Sequence, residues 1–172
     1  MRRIIVYIAT SIDGYIATKE HSLDWLFVED PEGDAGYDAF YNSIDTVVMG
    51  SKTFQWIMEH EGDNPYKGKQ SYVFTSKTRE DTEDVQFIQG DAVSFMKNVQ
   101  AQEGKDIWLV GGASIIKSLM EHQLVDEFII SIAPIIIGSG IPLFQEMNVE
   151  QRMELVDMKR FGSFPQLHYR RK

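Results

Sequence analysis

Cysteine is missing altogether from the 172 residues. That removes disulfides, thiol nucleophiles and cysteine-ligated zinc together, and it fits a reducing, cytoplasmic setting. An apolar run approaching the ~20 residues that span a bilayer is missing too. The opening segment Met1-Arg2-Arg3 through Ile8-Ala9 has a short apolar stretch. Asp13-Gly14 follows where a signal peptide would place a small-residue cleavage site, so the segment reads as a first strand. Positive charge is in deficit: 17 Lys and Arg against 26 Asp and Glu give a net charge of -9. A phosphate-tracking surface needs the opposite balance, which counts against a nucleic-acid binder. His21, His60, His122 and His168 are scattered without metal-ligand spacing, so no metal is expected. No repeat, low-complexity tract, G-x-G-x-x-G fingerprint or G-x-x-x-x-G-K-[ST] loop occurs.

What is present is an alternation of apolar runs and helical patterns. The length suggests one domain over residues 1–172, large enough to bury roughly two-thirds of its unfolded surface. Arg3 to Ala9 reads as a buried strand, and Thr10 to Asp30 as a long loop of the size that serves active sites. A short helix is expected from Gly36 to Ser43, a strand from Asp45 to Met49 and a helix from Thr53 to Glu59. Strands are expected at Gln70–Thr75 and Val85–Ile88. Asp91 is a plausible N-cap for a helix through Gln102. Its inner stripe is Ala92, Phe95, Met96 and Val99, and Gly104 stops it. A strand at Asp106–Val110 and a helix from Ala113 to about His122 follow. Beyond them the chain carries strands alone: a β-prone run from Glu127 to Ile137 broken by Pro134, then Met153–Phe161 and Gln166–Arg171 as a hairpin around Gly162-Ser163-Phe164-Pro165. This order predicts an α/β fold. A mostly parallel central sheet carries helices on both faces, with a C-terminal antiparallel hairpin at one edge.

Two strand-to-helix turns carry phosphate-binding chemistry, Met49-Gly50-Ser51-Lys52-Thr53 and Val110-Gly111-Gly112-Ala113-Ser114. Glycine permits close approach of the backbone, and the helix start offers free N–H groups and partial positive charge. Ser51 and Thr53 add hydroxyl donors, and Lys52 adds a cation. Together the turns could hold the two ends of a pyrophosphate.

Around these turns the chain resembles the dihydrofolate reductase superfamily, and within it the reductase domain of bacterial riboflavin biosynthesis and that domain's uncharacterised single-domain relatives. Four segments carry the resemblance in family order: Ser11-Ile12-Asp13-Gly14-Tyr15-Ile16-Ala17; Val48 to Phe54; Val110 through Gly111-Gly112-Ala113-Ser114 to Glu127; and Ala133 to Phe144. The resemblance implies an NADPH-dependent oxidoreductase acting on a small-molecule substrate, a pterin, pyrimidine or related heterocycle. It places Ala9 at the nicotinamide end. Gly50, Ser51, Lys52 and Thr53 would lie on phosphates, and Gly111, Gly112, Ala113, Ser114 and Ile115 on the pyrophosphate. Thr75, Ser76 and Lys77 would lie near the adenosine 2′-phosphate. The family commonly carries arginine where Ser51 stands, which leaves Lys52 and Lys77 to compensate as point charges.

Hydride transfer to C=N or C=O also requires a proton. The family's carboxylate starts the helix after the first strand, where Asp34 and Asp38 are both available. Asp34 fits the spacing to Gly50; Asp38 fits a pattern with Phe40 facing the pocket. Asp13 is a substrate-side candidate or a turn residue, and Trp25 lines the pocket or packs the loop. The rival reading is a non-catalytic nucleotide-binding or sensor domain. A homodimer, with Phe128 to Ile137 at the interface, is compatible with either.

Overall fold

The computed structural model describes residues 1–172 except for the side chain of Val28. Apolar strand runs build an eight-stranded sheet in the order β5-β4-β3-β6-β1-β7-β10-β9. The strands are β1 (Ile4–Thr10), β3 (Ile44–Gly50), β4 (Gln70–Phe74), β5 (Val85–Ile88), β6 (Asp106–Gly111), β7 (Glu127–Ile132), β9 (Met153–Phe161) and β10 (Phe164–Arg171). The pairings from β5 to β7 are parallel; β7–β10 and β10–β9 are antiparallel. A second small sheet joins β2 (Tyr15–Ala17) to β8 (Ile141–Pro142). The helices are α1 (Tyr37–Ser43), α2 (Ser51–Glu61), α3 (Ala92–Ala101) and α4 (Ala113–Glu121), with a 3-10 turn at Asp24–Val28. This is the dihydrofolate reductase-like α/β architecture.

Alternation along β1 sorts the core. Ile4 and Val6 point to one face, where Met96, Val99, Ile116 and Leu119 of α3 and α4 cover them. Ile5 points to the other, with Phe40 of α1, Ile57 of α2 and Trp108. A parallel strand covered on both faces has no solvent side, which is why these strands read as unbroken apolar runs. None of the described helices is long and apolar enough to cross a membrane.

Several boundaries differ from expectation for local reasons. The Thr10–Asp30 loop contains β2 and the 3-10 turn. Asp91 caps α3 as expected, accepting from the Val93 and Ser94 amides. The buried stripe of α3 is nevertheless Val93, Met96, Val99 and Gln100, with Ala92 and Phe95 only half-covered beside it. Gln100 tolerates burial because its Nε2 donates to Asp126 at 3.1 Å and its carbonyl accepts from Arg2 N at 3.1 Å. The Glu127–Ile137 run stops at Ile132, because Pro134 has no N–H for a ladder and the chain turns there, Ile135 N donating to Ala133 O. Its paired part, β7, is bonded on both sides by β1 and β10, so it offers no free edge for a dimer. The hairpin turn shrinks to Gly162-Ser163, since buried Phe164 pairs directly with Phe161 and Gly162 takes a left-handed φ of 61°.

Candidate functional site

Strands β3 and β6 are far apart in sequence and adjacent in the sheet, with Met49 opposite Gly111. Their carboxyl ends therefore bring the two glycine turns together. A Cβ added at Gly50 would lie 3.8 Å from Gly112 N, and one added at Gly112 would lie 3.6 Å from Thr53 Oγ1. Helices α2 and α4 start here side by side, capped only by Gly50 and Gly112, with no side-chain cap and no acidic residue in either first turn. Their leading amides are left for a ligand, and both positive helix ends aim at the same place. Helix α3 also follows a strand, but Asp91 consumes its Val93 and Ser94 amides at 3.2 and 3.0 Å.

Both turns open into a cleft of about 1100 Å³. Ala9 at the end of β1 lies in its wall, with Gly50, Ser51, Lys52 and Thr53 on one side and Gly111, Gly112, Ala113, Ser114 and Ile115 on another. The resemblance assigns these ten residues to the cofactor, and the fold puts them along one surface. Tyr7, Tyr37, Trp56, Tyr66 and Phe74 add an aromatic wall, and Leu23, Leu26 and Phe27 face the cleft from the 3-10 region. The phenols stay protonated in this setting. Burial pushes Tyr37 up to about 12 and raises Tyr7 and Tyr66 as well. Tyr7 donates its hydroxyl to Ala35 O at 2.9 Å. The cationic side chains in the lining are Lys19 and Lys52, and the carboxylates are Asp30 and Asp34. Among the described residues no cluster of three or more metal-ligating side chains occurs.

The remaining sequence candidates separate. Asp34 lines the cleft but is fully exposed. Its carboxylate accepts from Asp38 N and Gly36 N, both at 2.9 Å, and these bonds hold it below the usual carboxylate range. These two amides, just before and within the first turn of α1, favour its ionised form. Asp38 is exposed and outside the cleft lining. Phe40 is also outside: it is buried and stacked behind Tyr7 at 4.4 Å. Asp13 ties loops together instead of lining the pocket. The Ser11 hydroxyl and the Gly138 and Ile137 amides, at 2.8 and 3.2 Å, lower its pKa. Trp25 packs on Ala133 and Phe164, beside a separate cavity of about 80 Å³. Thr75, Ser76 and Lys77 follow β4 just past Phe74, where the lining ends.

The aromatic wall escaped the sequence reading, although one signal for it existed. Thr53, Trp56 and Ile57 stand at i, i+3 and i+4 on α2 directly after the first glycine turn, so all three face where that turn points.

Comparison with known proteins agrees with this architecture. The family model described as RibD C-terminal domain matches residues 2–166. An uncharacterised Bacillus subtilis (strain 168) protein, YwjB, is 41% identical over 169 residues, covering 98% of this chain and 97% of its own. A solved Shewanella sp. PV-4 protein named for riboflavin biosynthesis is 31% identical with a TM-score of 0.87, covering 99% of each chain. Dihydrofolate reductase from Enterococcus faecalis, solved with NADP(H), shares the fold at 18% identity and a TM-score of 0.62, covering 99% of this chain and 96% of its own. With the paired glycine turns in place and nearly the whole length matched, the chain belongs to the RibD C-terminal domain family.

Proposed function

We propose that this chain is an NADPH-dependent reductase that transfers a hydride to a small heterocycle, with residues 1–172 acting as one domain. The observation that carries the reading is the meeting of two uncapped, acid-free helix starts in a single cleft. That arrangement fits a pyrophosphate, because free amides and two helix dipoles favour the same anion. In this reading the leading amides of α2 and α4 hold the phosphates, with the Ser51 and Thr53 hydroxyls beside them. Lys52 and Lys77 supply charge toward the 2′-phosphate, and Thr75 and Ser76 complete that end. Ala9 lies at the nicotinamide end. The bound dinucleotide supplies the hydride. Trp56 and the phenols of Tyr7 and Tyr37 give a planar substrate a surface to stack on. Asp34, ionised, accepts from ring N–H groups, and the proton of the reaction comes from water entering the open cleft.

A titration with NADPH and NADH, followed by nicotinamide and tryptophan fluorescence, tests this reading. Gly112→Asp is the control, because it sets a carboxylate between the two helix ends with only ordinary contact to Thr53. Binding of NADPH to the native chain and loss in the variant is the expected result. Failure of the native chain to bind either nucleotide overturns the proposal. One observation favours a non-catalytic nucleotide sensor instead: Asp34, a carboxylate of the lining, is held ionised. Substrate-dependent oxidation of bound NADPH across a panel of pterins and pyrimidines would reject the sensor reading.

A further inference from the structure

Behind the cleft wall one buried side chain joins three segments of the chain. Gln166 of β10 is 8% exposed and lies outside the cleft lining. Its register sets it opposite Ser131 of β7, which in turn lies opposite Ala9 of β1. Ala9 is two residues on from Tyr7, so these side chains share one face of the sheet. Gln166 Nε2 stands 3.0 Å from Ala35 O and 3.0 Å from Ser131 Oγ. Ala35, just before α1, has a left-handed φ of 53°, which a residue with a Cβ adopts only when its surroundings hold it there. The holding contacts are on its carbonyl, which accepts from Gln166 and, at 2.9 Å, from the Tyr7 hydroxyl.

These contacts fix where the protons of the group point. A carbonyl oxygen only accepts, so the Gln166 atom facing Ala35 O is the amide nitrogen and not the amide oxygen. That nitrogen carries two hydrogens. One goes to Ala35 O and the other to Ser131 Oγ, which therefore accepts. The hydrogen of the Ser131 hydroxyl is left over: among the described residues it is donated to no protein atom. Tyr7 is the opposite case. Its hydrogen is spent on Ala35 O, so its oxygen offers lone pairs alone. Tyr7, Ala9, Ala35 and Ser131 all line the cleft, and Gln166 stands behind them.

We propose that Gln166 is a positioning residue that sets the Ser131 hydroxyl as a hydrogen-bond donor to the substrate ring, so that the pair selects rings with a carbonyl at that point over rings with an amino group. This rests on the reading of the cleft as a reductase site. A ring carbonyl takes the free hydroxyl hydrogen directly and leaves the Gln166 bonds as they are. An amino group would have to take the remaining lone pair of Ser131 Oγ. The hydroxyl hydrogen would then be left without an acceptor at a residue only 9% exposed, which is costly. Moving Gln166 aside to relieve this would release the Ala35 carbonyl and the start of α1 with it. Ser131 pairs with Ala9, so the selection acts at the nicotinamide end, where the ring receives its hydride.

Pterin and its diamino analogue, in which an amino group replaces the ring carbonyl, test the proposal by fluorescence titration of the NADP+-saturated chain at neutral pH. The ratio of their affinities is compared for the native chain, Ser131→Ala, Gln166→Met and the double variant, with circular dichroism to confirm folding. Ser131→Ala keeps the bond from Gln166 to Ala35, and Gln166→Met keeps the hydroxyl but frees it to turn. Each single variant is expected to move the ratio about ten-fold toward the diamino ring. The double variant should move it no further, because Gln166 acts through Ser131. A Gln166 that only supports the fold would weaken both rings alike and leave the ratio where it was. An unmoved ratio in either single variant overturns the proposal, as does a further move in the double variant or a native chain that binds nucleotide but neither ring. A native chain that binds no nucleotide overturns the reductase reading itself, whereas bound nucleotide with an unmoved ratio overturns only the role of Gln166 and Ser131.

Discussion

The two ends of the parallel strands are built on opposite principles. At the amino ends polar groups are matched. Glu127, whose side chain is 2% exposed, accepts from Arg3 Nη1 at 2.8 Å, His168 Nε2 at 2.7 Å and Arg170 Nε at 2.9 Å. Beside it Arg2 donates to Lys105 O and Thr46 Oγ1, both at 2.6 Å, and pairs with Asp45. Asp126 receives Ile4 N, Gln100 Nε2 and Arg171 Nη2. At the carboxyl ends the reverse holds: two helices start on glycine, their amides uncapped by side chains, with no acid nearby in sequence. A matched cluster holds the strands together and has no capacity left for a ligand. An unmatched one costs stability and keeps its capacity for an anion.

Changes at the two ends should therefore have separable consequences. The largest is expected from Glu127→Ala, which strands several donors at once. Chemical denaturation should show a loss of about 2–3 kcal/mol, moderated because the guanidiniums of Arg3 and Arg170 can turn to solvent. NADPH affinity of the folded fraction should not change. Next comes Gly50→Asp at the other end. Aspartate is a favoured N-cap and meets only ordinary contact there. The melting temperature should hold or rise while NADPH affinity falls about 100-fold, the anion site having been filled from within. A variant that loses stability and binding together would break the comparison.

Acid should weaken the amino end. Burial pushes the Glu127 carboxyl up, but the Arg170 and His168 hydrogen bonds and the Arg3 charge outweigh it and hold it below its ordinary value. A depressed carboxyl stabilises the fold above its unfolded pKa of about 4.3, and that contribution is lost as pH falls through the lower folded value. Denaturation curves below pH ~4.5 should be steeper in pH for the native chain than for Glu127→Gln. The smallest effect is expected from Asp91→Ala, which uncaps α3 at the carboxyl end. It should lower the melting temperature less than Glu127→Ala does and leave nucleotide binding intact, because that helix start lies outside the cleft lining.

Much of this could be read before any coordinates. Strands such as Asp45–Met49 were legible because burial on both faces demands apolar runs. The Asp91 cap and the terminal hairpin were legible because capping and turn chemistry act within a few residues. Both glycine turns were recognisable for the same local reason. The roles of Asp13, Asp34, Trp25 and Phe40 were not, since a carboxylate or an aromatic ring has no fixed function until its neighbours are known. Asp13 proved to be tied to Gly138, and Phe40 stood behind Tyr7.

By itself, then, the chain order determined the elements, their alternation and the two helix starts free of acid, all consequences of local backbone chemistry and of side-chain periodicity. Only the tertiary structure decided that β3 and β6 lie side by side and so merge two weak anion sites into one. It also decided that Gln166 meets Ser131 and the Ala35 carbonyl. Strand order is set by burial summed over the whole chain, and no window of sequence contains it.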